Sequence, residues 1–336
     1  MQAESISERS EGANERRRST ILGRMFGAEK VTARGASDDL RSMAESERPR
    51  WYGHSYNRAG LYRLAEALGW MPRGPRLALA RSLGRLAPGW LPAERAAVRK
   101  TLAAVTGASG PRLEQLTTRV FGDFAMCFSD LVSTNRRPAA RLSTYVHAVI
   151  GGEQVQGLSG GLISVTAHVG NWELAGRLLA TRAARRTNVV VSPEEAPELE
   201  RWVRRDGDGM RFVPRTHPGI GVELLAALRR GEVVALQGDR AIGTRGDVSI
   251  PFFGRPARFP LGPFLLARAA GVPIVPAFCL LGRGHRYTVR ISPPIRVARG
   301  GEEAAARDWV RLLEGIVQEH PTQWFNFFDI WGHESP

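Results

Sequence analysis

Residues 160–176, GGLISVTAHVGNWELAG, constrain the fold of this chain more than any other stretch. A short apolar run of β type at 162–165 ends in small residues and meets a polar cluster made of His168, Asn171, Trp172 and Glu173. Gly170 and Asn171 suit a turn or a helix start, and the residues from Glu173 onward favour helix. The pattern therefore predicts a strand that hands a histidine to the start of a helix, at the C-terminal edge of a sheet where crevices form in open α/β folds. On one continuous helix His168 and Glu173 would stand about 140° apart, so they can meet only if the chain bends between them. With that bend, the carboxylate could hold one ring nitrogen protonated while the other accepts a proton from a hydroxyl. No serine or cysteine nucleophile is needed if the hydroxyl belongs to the substrate. The same residues also fit a core histidine beside a capping glutamate.

The rest of the chain repeats this alternation. TNVVVSP at 187–193 reads as a buried parallel strand, and 210–213, 233–239 and 270–278 read as further strands with helices between them. A strand at 286–291 is expected at the sheet edge, because Pro293 and Pro294 would interrupt a central ladder. The fold class expected is α/β, a central mostly parallel sheet flanked by helices, with N-terminal helical additions. Residues 1–50 read as a mostly disordered or peripheral tail. Residues 51–135 read as amphipathic and covering helices, and 136–332 as the catalytic α/β core, packed with those helices as one domain. Two basic amphipathic helices are expected between Trp51 and Trp90, broken by Pro72, Gly74 and Pro75. Their Trp and Arg residues could rest in the headgroup layer of an acidic bilayer, or their apolar faces could simply be core.

A second strand-end cluster follows VVALQGD. Asp239 and Arg240 are placed much as His168 is, and a glycine-containing loop leads from them to Phe252, Phe253 and Gly254 in a PFFG sequence. Loops at strand ends of this kind face one crevice. Arg240 could contact an anionic group of a ligand, and Asp239 could fix the loop or Arg240 by a charged hydrogen bond. A plain surface Asp–Arg pair is the alternative.

The formal charge of the 336-residue chain is +14. Residues 1–50 hold ten basic and nine acidic residues and contribute only +1, which leaves +13 on the remainder. An arginine-rich surface suits an anionic partner: an acidic membrane face, an acidic carrier protein or nucleic acid. The basic residues are scattered and no recognition-helix or metal-finger signature is present, which argues against nucleic acid. Cys127 and Cys279 sit in apolar surroundings without metal-ligand spacing and read as buried free thiols. Neither a metal nor a redox cofactor is implied. The sequence contains no eighteen-residue uncharged apolar window and no signal-type N-terminus, so neither secretion nor a membrane span is expected.

HVGNWE resembles the H-x-x-x-x-[DE] motif of the glycerolipid acyltransferase superfamily, and its surroundings are most similar to the bacterial lipid A lauroyl and myristoyl acyltransferases. Gln237, Asp239 and Arg240, the PFFG segment, AGVPIVPAF at 270–278 and HPTQW near the C-terminus fit the same family, so that the resemblance spans roughly residues 95–331. It implies His168 as general base with Glu173 as its partner. It further implies an acyl donor, acyl carrier protein or coenzyme A, and a hydroxyl acceptor on a lipid A precursor-like or related glycolipid. Asn171, Trp172, Asp239, Arg240, Phe252, Phe253 and Gly254 are then candidates for contact with substrate or donor, with the PFFG loop bounding an acyl tunnel. The chain would work peripherally on the cytoplasmic face of the inner membrane, without the N-terminal anchor that family members often carry. Acylation of another lysolipid, aminolipid or secondary-metabolite acceptor is an alternative, as is a non-enzymatic basic protein that binds membrane or nucleic acid.

Overall fold

Valine- and isoleucine-rich runs of about five residues, bounded by glycine and polar turns, become strands buried on both faces. The computed structural model describes residues 59–134, 142–183, 185–191, 209–241, 243 and 246–332. Its first helices are α1 (Ala59–Leu68), α2 (Arg73–Leu86), α3 (Pro92–Thr106) and α4 (Gly110–Thr134). Next come β1 (Val146–Ile150), the short α5 (Glu153–Gln156), β2 (Leu162–Thr166), α6 (Trp172–Ala183), β3 (Thr187–Val191) and β4 (Met210–Pro214). They are followed by α7 (Ile220–Arg229), β5 (Val233–Gln237), β6 (Asp247–Phe252), β7 (Arg255–Pro260) and α8 (Gly262–Ala270). The chain closes with β8 (Ile274–Leu281), β9 (Tyr287–Ile291) and α9 (Glu302–Glu319). The expected tail over 1–50 lies outside the described residues.

Seven strands form one sheet in the order β1-β9-β8-β2-β5-β3-β4. Every neighbouring pair is parallel except β8 with β9. The expected mostly parallel α/β sheet is therefore the observed one. Central β2 is flanked by β5 and β8, and Ile163 and Val165 are fully buried between helical layers. On one side Trp309 of α9 stacks on Phe278 of β8 with ring centroids 5.7 Å apart.

Two expectations are corrected. β9 is not the edge: β1 pairs along its outer side, and the prolines that suggested an edge follow the strand rather than interrupt it. The segment before and after PFFG is not a loop but an antiparallel hairpin, β6 with β7. Pro251, Pro256 and Pro260 hide the strand signal there, and a two-stranded ribbon leaves them outward-facing sites where no ladder hydrogen bond is needed.

Of the helices expected between Trp51 and Trp90, α1 and α2 fall within the described residues, and Gly74 and Pro75, expected to break them, lie inside α2. Pro72 directly precedes α2, whereas Pro75 falls within its first turn, where a backbone N–H has no helical partner. At Gly84 a Cβ would come 2.5 Å from the carbonyl oxygen of Phe121 and 2.7 Å from Cβ of Ala125, so α2 lies on α4 at glycine distance. Leu77 is buried in this contact, while Leu79, Leu83 and Leu86 are exposed. The spacing of those three leucines puts them on one face of the helix. Trp70 and Trp90, exposed at 91% and 74%, stand just beyond either end of α2. Among the described residues no helix is long and apolar enough to cross a membrane.

Candidate active site

The site is assembled by register. β2 and β5 are parallel neighbours whose last paired residues are Thr166 and Gln237. His168 and Asp239 each lie two residues beyond, so they leave the sheet side by side at its C-terminal edge. Gly238 makes the step between strand and site: its N–H donates to the Thr166 carbonyl at 2.9 Å, and its carbonyl accepts the Trp309 indole N–H at 2.9 Å. A Cβ at Gly238 would press within 2.9 Å of Val165 and 3.1 Å of Trp309.

Asp239 holds His168 twice. Its Oδ1 is 2.9 Å from the ring Nδ1, and its Oδ2 accepts the His168 backbone N–H at 3.0 Å. The Trp324 indole N–H donates to the same Oδ2 at 3.0 Å. The C-terminal block closes on the loop through its backbone as well: Phe325 N–H donates to the His168 carbonyl at 2.8 Å, and Gly170 N–H to the Gln323 carbonyl at 2.9 Å. Gly170 has φ +60°, and a Cβ there would sit 2.1 Å from the Cys279 carbonyl oxygen. Only glycine permits both the left-handed turn and this approach to β8.

Burial, and then the neighbouring Arg240 cation, push the His168 pKa down, against the opposing pull of Asp239. Asp239 itself is fully enclosed, which alone would raise its pKa. The facing histidine, Arg240 and the Trp324 N–H together hold it well below the usual carboxylate range. The pair at neutral pH is therefore an ionised carboxylate and a neutral imidazole. Because Nδ1–H donates to Asp239, Nε2 carries the lone pair, the arrangement a general base requires.

The remaining expected residues fall into place around this pair. Glu173 is half-buried in the first turn of α6, but the nitrogen it was expected to hold is taken by Asp239. Trp172 sets its ring edge against the His168 ring, centroids 4.9 Å apart. Asn171, expected to touch substrate, is buried and turned inward: Oδ1 accepts the Leu174 N–H, and Nδ2 donates to the Cys127 carbonyl and to the Tyr287 hydroxyl, both at 3.3 Å. Arg240 donates from Nη2 to the Phe325 carbonyl at 3.0 Å and lies over the Phe328 ring. Phe252 is fully buried behind Trp324, its ring edge-on at 5.3 Å, and reaches the His–Asp pair only through that tryptophan. Phe253 and Gly254 form the two-residue hairpin turn, with φ of +49° and +74°. Glu314 of α9 accepts the Phe253 backbone N–H, which holds a bulky residue in a conformation it rarely adopts.

Sequence reasoning placed His168 and Asp239 at strand ends of one crevice but paired the histidine with the nearer carboxylate. Nothing in the HPTQW block announced the hydrogen bond from Trp324 to Asp239. The signal that could have found the pair is the equal two-residue offset past VT and LQ, which becomes readable once β2 and β5 are known to be neighbours.

Comparison with known proteins identifies the chain's relatives. Residues 58–332 match the family model described as bacterial lipid A biosynthesis acyltransferase. A phosphatidylinositol mannoside acyltransferase of Mycobacterium tuberculosis is 31% identical over 300 residues, covering 78% of this chain and 92% of that protein. One from Mycolicibacterium smegmatis is 26% identical over 175 residues, covering 51% and 57% respectively. The crystal structure of a 1-acyl-sn-glycerophosphate (LPA) acyltransferase from Thermotoga maritima aligns with 74% of this chain and 98% of its own at 14% identity, with a TM-score of 0.35 that is too low to support inference. With a match over most of its length and a full-length relative above thirty per cent identity, the chain belongs to the bacterial lipid A biosynthesis acyltransferase family.

Proposed function

We propose that this acyltransferase moves a fatty acyl group from an acyl thioester to a hydroxyl of a glycolipid, with His168 as general base and Asp239 as the carboxylate that orients it. The observation that carries this reading is the contact of 2.9 Å between Nδ1 of His168 and Asp239 at the mouth of the parallel sheet. As the acceptor oxygen attacks the thioester carbonyl, Nε2 takes its proton. The new C–O bond forms, the tetrahedral intermediate collapses with cleavage of C–S, and the imidazolium returns the proton to the departing thiolate. Arg240 is a cation whose charge reaches His168, and we assign it to the developing negative charge or to a phosphate of the donor. Glu173, in the first turn of α6, is given the role of complementing the helix N-terminus rather than of holding the base.

The names of the relatives favour a mannosylated phosphatidylinositol as acceptor over a lipid A precursor, and both are sugar-bearing lipids whose hydroxyl fits the same chemistry. Coenzyme A and acyl carrier protein are both acidic donors that a basic surface would attract. The exposed leucine face of α2, with Trp70 and Trp90 just beyond its ends, supports peripheral contact with an anionic bilayer as the route by which a lipid acceptor reaches the site.

The test is turnover with palmitoyl-coenzyme A and palmitoyl-acyl carrier protein against a panel of phosphatidylinositol mannosides, lipid A precursors and lysophospholipids. His168→Ala should abolish transfer while leaving donor binding in place. Transfer by His168→Ala at the wild-type rate would sink the mechanism. Absence of transfer by the wild type to every acceptor would sink the assignment of substrate class.

A further inference from the structure

The Asn171 side chain is the near end of a buried polar chain that leaves the active site altogether. Its Nδ2 donates to the Tyr287 hydroxyl, and that hydroxyl donates to Oδ2 of Asp130 at 3.0 Å. Asp130, on α4, accepts two further hydrogen bonds from Arg73, through Nε at 3.1 Å and Nη2 at 2.7 Å, and one from Nη2 of Arg76 at 2.7 Å. Arg73 also donates to the His285 carbonyl, on the β8–β9 connection, and lies over the Tyr145 ring at 4.4 Å. Asp130, Tyr287, Asn171 and Arg76 are all at most 4% exposed. Four separate segments therefore meet in one network: the N-terminal turn of α2, the C-terminal part of α4, the residue before α6 and the first residue of β9.

The network has a direction. With Arg73 and Arg76 supplying only donors, Asp130 can only accept, so the Tyr287 O–H must point at Asp130. Its oxygen is then left as an acceptor, which requires the nitrogen and not the oxygen of the Asn171 amide to face it. That choice turns Oδ1 of Asn171 toward the N–H of Leu174, where it caps the first turn of α6. The very next residue, Trp172, is the one whose ring edge rests on His168. A flipped amide would face a donor with a donor and leave the helix start uncapped.

On the reading that His168 is the base, we propose that Tyr287 and Asp130 are positioning residues for it. They fix the Asn171 amide, and through it the start of α6 and the Trp172 ring that braces the imidazole. Neither residue touches substrate. Their effect reaches the chemistry only through Asn171, which gives the proposal a signature that simple loss of packing lacks.

Three variants of the full chain test it: Tyr287→Phe, Asn171→Asp and the double variant. Asn171→Asp keeps the capping oxygen and removes the donor, so it cuts the chain from the other side and serves if Tyr287→Phe fails to fold. Hydrogen exchange followed by mass spectrometry should show the amides of residues 172–175 exchanging about tenfold faster in each variant, with β2 and β5 protected as in wild type. With palmitoyl-coenzyme A and a phosphatidylinositol mannoside, kcat should fall on the order of tenfold with KM for the donor within twofold, as expected of a slight misplacement. The double variant should lose no more than either single one. Unchanged exchange over 172–175, or turnover losses that multiply in the double variant, would overturn the proposal. The exchange measurement does not require turnover. A wild-type protein that transfers no acyl group thus defeats the functional reading, while the positioning chain is still judged by exchange.

Discussion

Asp239 meets His168 through both carboxylate oxygens, one on the ring and one on the backbone N–H, so the residue fixes the position of the base as well as its tautomer. Replacing it by asparagine keeps the shape and removes the charge. We expect Asp239→Asn to lower kcat by about 10²- to 10⁴-fold, since the amide can present its N–H₂ to Nδ1 and favour the wrong tautomer. Glu173→Gln should cost far less, and steady-state rates of the two variants side by side decide between the carboxylates. Arg240 acts on the same imidazole as a neighbouring cation. After burial, its cation is what lowers the His168 pKa, so that, with His168 as the proposed base, activity is expected to persist to a pH below the ordinary histidine value of 6.5. Removing that cation in Arg240→Gln lets the folded-state pKa rise, and the acid limb of the kcat/KM profile should move to higher pH. An acid limb that stays put or moves to lower pH would contradict the electrostatic role. The linkage to stability has a definite sign as well. A histidine whose pKa is depressed by folding binds protons more readily when unfolded, so its contribution turns against the folded state as pH falls through the unfolded value.

At the scale of elements, α2 does two unlike things. One face carries Arg76 and Leu77 into the protein, and the other leaves Leu79, Leu83 and Leu86 exposed between Trp70 and Trp90. Arg81 and Arg85, the two basic residues of this helix that do not bind Asp130, complete a surface suited to anionic lipid. Leu83→Glu should reduce co-sedimentation with vesicles containing phosphatidylinositol several-fold and leave sedimentation with neutral vesicles near its low baseline; equal binding by wild type and variant would remove α2 from the membrane contact. Sequence periodicity was enough to find α2 and its break at Pro72, because an exposed amphipathic helix is a local pattern. It could not divide the apolar positions between core and solvent, because that depends on Gly84 bringing α4 close to one side only. The β6–β7 hairpin was illegible for the opposite reason. Its prolines are poor strand formers, and the ribbon exists because Phe252, Ala257 and Phe259 find a core to enter.

For the whole molecule, the parallel sheet was readable from its valine-rich strands, and the edge at which chemistry occurs followed from its topology. Which carboxylate serves the histidine was not readable, because Asp239 is 71 residues away and becomes a neighbour only through the lateral order of strands. The buried network under Asn171 was hidden in the same way, since it joins residues 73, 130, 171 and 287. The closing bonds from Gln323, Trp324 and Phe325 come later still in the sequence. Proteins are made from the N-terminus, so a ribosome has built β2, β5 and the His168 loop well before the tryptophan that steadies Asp239 emerges. A chain ending at Glu319 should show no acyl transfer from palmitoyl-coenzyme A, and transfer at the full rate would contradict the dependence on the last block. Growing and prematurely terminated chains would then leave the cell's thioester pool untouched until the block that carries Trp324 has been made.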